Sequence, residues 1–304
     1  MLEIAVMLEG QNGLTWPRWQ RLARFVEQAG FVGLFRSDHF TNPNPPDLAS
    51  LELWTSLTWL AGNTSRIEFG PLVTPFSFRQ PVFTARMASA VDDLSKGRLV
   101  LGLGAGWQER EHAIFGFDLL EPKERFNRFK EGLEVVTRLL QSQEPVTFEG
   151  QYYRLHGATL LPHPQRPSGP RILIGGSGVK RTLPYVVQYA SEWNCVSRLP
   201  QDFARLSRRL DEMLVEAGRQ PASVRRSMMT GCVFGKDDAT LQQKIAARGS
   251  TLEQLQGRGI VAGSLNAVKE QLAALQEAGL QRVMLQWLDL DDLESLEILA
   301  KGIL

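Results

Sequence analysis

"GRLVLGLGAGWQE", residues 97–109, runs from an apolar segment directly into three glycines spaced two apart. Leu99, Val100 and Leu101 precede Gly102, Gly104 and Gly106, and Trp107 follows. An apolar run without alternation suits a strand buried on both faces, as in a parallel sheet covered by helices. Glycine weakens such a strand, so the pattern predicts that something approaches the backbone closely there. A phosphate and an aromatic ring system are the two expectations.

The same rhythm extends in both directions. Apolar runs recur at 4–8, 31–36, 67–73, 99–103, 172–174, 193–196, 228–234 and 282–286. Between them lie stretches of helical periodicity at 16–29, 51–61, 82–94, 125–140, 182–190, 202–217, 265–278 and 291–299. Gly30, Gly218 and Gly279 stand where left-handed caps would end three of these helices. Strand followed by helix, eight times, predicts a (β/α)8 TIM barrel in the α/β class, with residues 1–304 as one domain. A doubly wound sheet is the alternative, but it would have to discard two of the strands. Two segments interrupt the alternation. Residues 144–170 read as a hairpin and proline-rich loop before strand five, and 235–264 as a polar, helix-rich extension after strand seven.

Composition narrows the function. With 43% hydrophobic and 22% charged residues, the chain can bury a substantial core. A net charge of +1 gives no field to recruit nucleic acid or an anionic membrane surface. Cys195 and Cys232 lack a CxxC partner, which predicts reduced, buried thiols in a cytoplasmic protein. Neither a signal peptide nor the roughly 18-residue apolar span of a membrane helix is expected.

In such a barrel, chemistry gathers at the carboxyl ends of strands. Asp38 and His39 leave the second strand together in "RSDHF", and imidazole titrates near neutrality. Gly175, Gly176, Ser177 and Gly178 in "ILIGGSG" precede a helix expected near Val179, where free amides would make an anion site. Gly104, Ala105 and Gly106 leave room for a flat ring at the barrel mouth. No metal site is expected, since the four histidines show neither HxH nor HExxH spacing. "EREH" (109–112) reads as a solvated charged helix face. There is no GxSxG elbow, and "GLGAGW" lacks the dinucleotide-binding context. Trp54, Trp59, Trp193 and Trp287 read as core.

Taken together, "DHF", "GRLVLGLGAGWQEREHAIFGF", "RFKEGLEVV", "VTFEGQYYRL" and "PRILIGGSG" resemble the luciferase-like monooxygenase superfamily. The resemblance is strongest to its coenzyme F-420 (F420, a deazaflavin) dependent oxidoreductases, and runs in order from about residue 4 to 200. It implies an isoalloxazine-type ring at the strand ends and a non-prolyl cis peptide within Pro71–Val73. By the same resemblance, Asp38 and His39 lie near the reactive side of the ring. Leu72, Val73, Thr74, Gly104, Ala105 and Gly106 would line the ring or its ribityl chain, and Gly175–Gly178 the phosphate. One departure is informative. Sugar-phosphate and alcohol dehydrogenases of the family carry a catalytic glutamate where this chain has Trp107, which would instead narrow or floor the substrate pocket. Glu109 and Glu111 are close, but out of register.

The activity so implied is hydride transfer between F420 and a small organic substrate, with His39 moving the proton and Asp38 orienting it or contacting the ring. FMN is the alternative cofactor, in a monooxygenase or flavin reductase, or in a flavin-binding protein without turnover. A flavin or F420 reductase is an implied partner, and so is a second copy of the chain, joined through the apolar 51–61 helix.

Overall fold

In the computed structural model, which describes residues 1–304, the eight apolar runs become the staves of one parallel barrel. The strands are β1 (Glu3–Leu8), β2 (Gly33–Arg36), β3 (Glu68–Pro71), β4 (Thr74–Pro75), β5 (Val100–Gly104), β6 (Val146–Glu149), β7 (Arg154–Ala158), β8 (Arg171–Gly175), β9 (Glu192–Val196), β10 (Arg225–Val233), β11 (Val261–Ala262) and β12 (Arg282–Gln286). Neighbours run β3-β2-β1-β12-β10-β9-β8-β5-β4. β3 and β4 are halves of one stave, broken at Leu72–Val73, whose peptide bond is cis. A parallel bridge between Phe69 and Leu99 closes the ring.

The helices are α1 (Trp16–Ala29), α2 (Leu53–Asn63), α3 (Pro81–Leu94), α4 (Glu109–Phe115), α5 (Pro122–Gln141), α6 (Leu183–Tyr189), α7 (Pro200–Glu216), α8 (Asp238–Ala247), α9 (Leu252–Gly257), α10 (Leu265–Glu277) and α11 (Leu293–Ile303). α1 shows why they form. Pro17 sits in its first turn; Trp19, Leu22, Ala23 and Val26 bury one face; and Gly30, at φ 103°, ends it in the left-handed region. β6 and β7 form the expected hairpin, antiparallel and outside the barrel. Three details differ from the sequence expectation. α4 is an additional helix after β5, α6 starts at Leu183 because residues 179–182 turn first, and β11 extends the second insertion as a strand parallel to β10. A two-residue strand is too short to show a period.

The glycine run has a structural answer. A Cβ on Gly102 would lie 2.1 Å from the Pro71 carbonyl oxygen, and one on Gly104 would lie 2.4 Å from Val73 Cγ2. The neighbour approaching the backbone is therefore the broken β3–β4 stave itself, which corrects the expectation of a ligand at Gly102, while Gly104 also reaches the cavity described below. Gly102→Ala should cost about 1–3 kcal/mol through overpacking against backbone that cannot swing aside. Urea denaturation would show it as a lower midpoint at unchanged slope.

The barrel interior is layered. Ala5, Met7, Phe35, Val100, Leu173 and Met284 fill its middle, separate from the larger core between barrel and helices. Below them the first residues of the staves form a charged floor. Arg282 meets Glu3 at 2.6 Å, Glu68 at 2.5 Å and Glu192 at 3.3 Å, and lies over the Phe35 ring. Arg171 and Arg225 complete the network around Glu68 and Glu192. Above the middle layer the barrel opens into a cavity.

Candidate active site

The cavity, about 420 Å³, lies at the carboxyl ends of the staves and is lined by His39, Leu72, Val73, Gly104, Ala105, Gly106, Trp107, Gly175 and Gly176 among the expected residues. Met7, Glu9, Ser37, Pro75, Glu111, Phe126, Thr182, Asn194, Val196 and Met229 complete its wall. Asp38, Thr74, Ser177 and Gly178 lie just outside the lining.

Glu111 is the residue that sequence reasoning placed wrongly. Far from a solvated charged face, Glu111 and His112 are 1% and 2% exposed. Glu111 Oε1 lies 2.8 Å from His39 Nδ1, and its Oε2 accepts the Phe40 amide at 3.0 Å. His112 Nδ1 lies 2.6 Å from the Gln108 carbonyl. At i and i+2 on a helix, Glu109 and Glu111 point apart, so only one of them can turn inward. The sequence gives no sign of which one, because the partner is 72 residues away.

The pairing fixes the chemistry of His39. Burial disfavours the imidazolium, but the Glu111 carboxylate, helped by the charges of Glu9 and Asp38, outweighs it, and the pKa of His39 rises above the ordinary histidine value. With Nδ1–H donated to Glu111, Nε2 is the ring nitrogen left without a protein partner. Trp107 packs edge-on against this imidazole, with centroids 5.5 Å apart, and is itself 59% exposed. It forms an open side wall of the cavity, not its floor.

Asp38 does not orient His39. Its carboxylate accepts from Thr74 Oγ1 at 2.5 Å and from Arg79 Nε and Nη2 at 3.0 and 2.8 Å. Arg79 also bonds Glu52 at 2.8 Å, so Asp38, Thr74 and Arg79 brace the second stave against the third. The adjacent Arg36 is buried, with its pKa pulled down to about 10 by desolvation despite the nearby Asp38. Its guanidinium reaches Ser56 Oγ and the Leu51 carbonyl. Arg36 and Asp38 of the second stave are thus scaffold, while Ser37 and His39 reach the cavity wall.

The glycine loop after β8 is held from behind. Trp193 Nε1 donates to the Gly176 carbonyl at 2.7 Å, and the Gly176 amide donates to the Asn194 carbonyl at 2.8 Å. The Trp193 ring is stacked on Phe203. A Cβ on Gly176 or Gly178 would crowd Thr182 at 3.1 and 3.2 Å. The amides from Ser177 to Lys180 donate to no other protein group, which makes the loop a cradle for an anion. A flat, glycine-lined wall beside an anion cradle fits a ring system carrying a phosphate.

The model of the luciferase-like monooxygenase family matches residues 3–257. Among curated proteins, the F420-dependent glucose-6-phosphate dehydrogenase of Kineococcus radiotolerans is 32% identical over 225 residues, 72% of this chain and 65% of that protein. The phthiodiolone/phenolphthiodiolone dimycocerosates ketoreductase of Mycobacterium bovis is 30% identical over 65% of this chain and 51% of its own length. The chain thus matches between about half and two thirds of the length of these relatives. An F420-dependent secondary alcohol dehydrogenase, solved with an F420-acetone adduct, superimposes with a TM-score of 0.85 at 18% identity, covering 99% of this chain and 98% of that one. A monooxygenase from Streptomyces bottropensis does so with a TM-score of 0.81 at 20% identity, covering 99% and 97%. No helix is long and apolar enough to cross a membrane.

Proposed function

We propose, from the premise that the chain belongs to the luciferase-like monooxygenase family, that it is an F420-dependent oxidoreductase acting on a small organic substrate. The observation carrying this reading is one cavity wall that includes the Glu111-paired imidazole of His39, a glycine face and the start of an anion cradle. Leu72, Val73, Gly104, Ala105 and Gly106 would hold the ring, and Gly175–Gly178 the phosphate. When bound, F420 supplies two-electron hydride chemistry, the part no side chain can perform.

The chain's own residues would supply binding and the proton. Glu111 keeps His39 Nδ1 protonated, so Nε2 carries the transferable proton. In the reductive direction Nε2–H gives its proton to the substrate oxygen; in the oxidative direction the neutral Nε2 takes it. Trp107 limits the open side of the cavity.

Titration of the purified protein with F420 and, separately, with FMN tests the reading, with cofactor fluorescence as the readout. Micromolar or tighter binding of F420 and none of FMN is expected. FMN binding alone would move the protein to flavin chemistry fed by a reductase partner, and binding of neither would refute the assignment. Ser177→Asp sets a carboxylate in the anion cradle and should weaken F420 at least about tenfold.

The reading extends to residues 1–304 acting as one domain in the cytoplasm, where the buried thiols of Cys195 and Cys232, both pushed up to about 12, would stay reduced. It also includes a homodimer through α2, supported by the apolar groove that Trp16, Trp59, Met87 and Leu94 leave beside this helix. Light scattering would read the mass.

A further inference from the structure

We infer that the substrate of this site is a neutral molecule with an extended apolar body, lying across an aromatic cluster at the cavity mouth, and not a phosphorylated or otherwise anionic compound. The inference rests on reading the cavity as the redox site, and it deepens that reading by naming the substrate class.

The charge of the wall carries the first part. Neither lysine nor arginine lines the cavity, whereas Glu9 and Glu111 do. The nearby guanidiniums have partners of their own. Arg79 is bonded to Asp38 and Glu52, Arg110 is paired with Asp47 at 2.7 Å, Arg125 donates to the carbonyls of Leu119, Leu120 and Gly106, and Arg181 lies over the Phe126 ring beside the glycine loop. The one titratable base in the wall, His39, is already paired with Glu111, so an anionic substrate would lose its hydration with no lysine or arginine to replace it, and would face the Glu9 carboxylate. Met7, Val196, Met229 and Trp107 offer it only apolar surface.

The mouth carries the second part. Phe40 packs against Phe78, Phe115 and Phe117 with centroids 4.7, 5.0 and 6.0 Å apart. Phe115 and Phe117 are 50% and 36% exposed, and a hollow of about 370 Å³ opens between Phe40, Ser50, Phe115 and Phe117. This hollow shares no lining residue with the cavity but is tied to it by the chain. Phe40 follows His39, Phe115 stands one turn beyond Glu111 on α4, and Ser50 Oγ donates to the His39 carbonyl at 2.6 Å. An exposed aromatic patch built from the chain neighbours of His39 and Glu111 is a place for the part of a substrate that does not react.

The test is calorimetric titration of the protein, both free of cofactor and loaded with F420, with 2-octanone, 2-butanone and glucose 6-phosphate. The expected result is that 2-octanone binds at least about tenfold more tightly than 2-butanone, because its extra methylenes leave water, while glucose 6-phosphate gives no heat. In the double variant Phe115→Ser, Phe117→Ser, with its far-ultraviolet circular dichroism preserved, the octanone-to-butanone ratio should fall at least threefold. Glucose 6-phosphate binding as tightly as 2-octanone overturns the charge argument. An unchanged ratio in the double variant overturns the role of the cluster. So does a change of mass in that variant without a change of ratio, which would mean that a second copy of the chain covers the patch. If F420 itself fails to bind, the cofactor reading fails, and the cofactor-free titration still decides the substrate class.

Discussion

Arg282→Met should destabilise the fold by about 3–5 kcal/mol, measured by urea denaturation at neutral pH, because it removes one partner from a buried charge network. Its guanidinium joins carboxylates from three staves, Glu3, Glu68 and Glu192, and both Arg282 and Glu192 side chains are 2% exposed. Once it is removed, the only cation left to Glu192 is Arg225, at 3.7 Å. Burial already raises the Glu192 pKa above the ordinary value, with Arg282 opposing the shift, while Arg282 and Arg171 hold Glu68 low against its own desolvation. Without Arg282 both folded-state values rise. A carboxyl whose folded pKa exceeds its unfolded one contributes stability at acid pH and loses it as pH rises through the folded value. The deficit of Arg282→Met should therefore be largest near neutrality and shrink toward the ordinary carboxyl range of about 4–5. A second substitution, Glu192→Gln, should recover part of the loss, and a double-mutant cycle would show coupling of about 0.5–3 kcal/mol. Equal losses at both pH values would refute the electrostatic account.

The second large effect falls on the proposed chemistry. His39→Asn should lower kcat by about 10²–10⁴ fold, the span of general acid–base catalysis, with F420 affinity unchanged. Glu111→Gln should leave His39 in place but lower its pKa. In the native protein the carboxylate raises the imidazole pKa against the opposing effect of burial. With a neutral amide, burial is opposed only by the charges of Glu9 and Asp38, and the pKa should fall from its native value. Where the imidazolium is the active form, the alkaline limb of the kcat profile should move to lower pH in this variant. Where the neutral ring is the active form, the acid limb should move the same way. The pair also couples to stability: the raised folded pKa gives a contribution present below about 6.5 and lost as pH climbs through the folded value. A Glu111→Gln enzyme with an unmoved profile would remove His39 from the proton path.

The proposed substrate class draws on the same geometry. Trp107 replaces the glutamate that the family resemblance places there, and the carboxylate nearest the imidazole comes instead from Glu111, four residues further on. Glu111 serves the histidine, because both of its oxygens are taken by His39 and Phe40. The wall is left with an exposed indole where an acid would otherwise stand, in keeping with an apolar substrate body.

What the sequence determined by itself was the barrel and its punctuation. All eight apolar runs are staves, the hairpin at residues 146–158 lies outside them, and Gly30, Gly218 and Gly279 end helices at positive φ. Burial of a stave or of one helix face is decided by residues within a few positions of one another, so it is written as a period that can be read directly. The glycine loop and His39 were legible for the same reason, since each sits at the end of a run whose direction is known. Only the tertiary structure decided which charges meet. Asp38 turns to Thr74 and Arg79, Glu111 to His39, and Arg282 to a glutamate 279 residues away. A carboxylate looks the same in sequence whether it faces water or an imidazole, and its partner is set by the closure of the barrel.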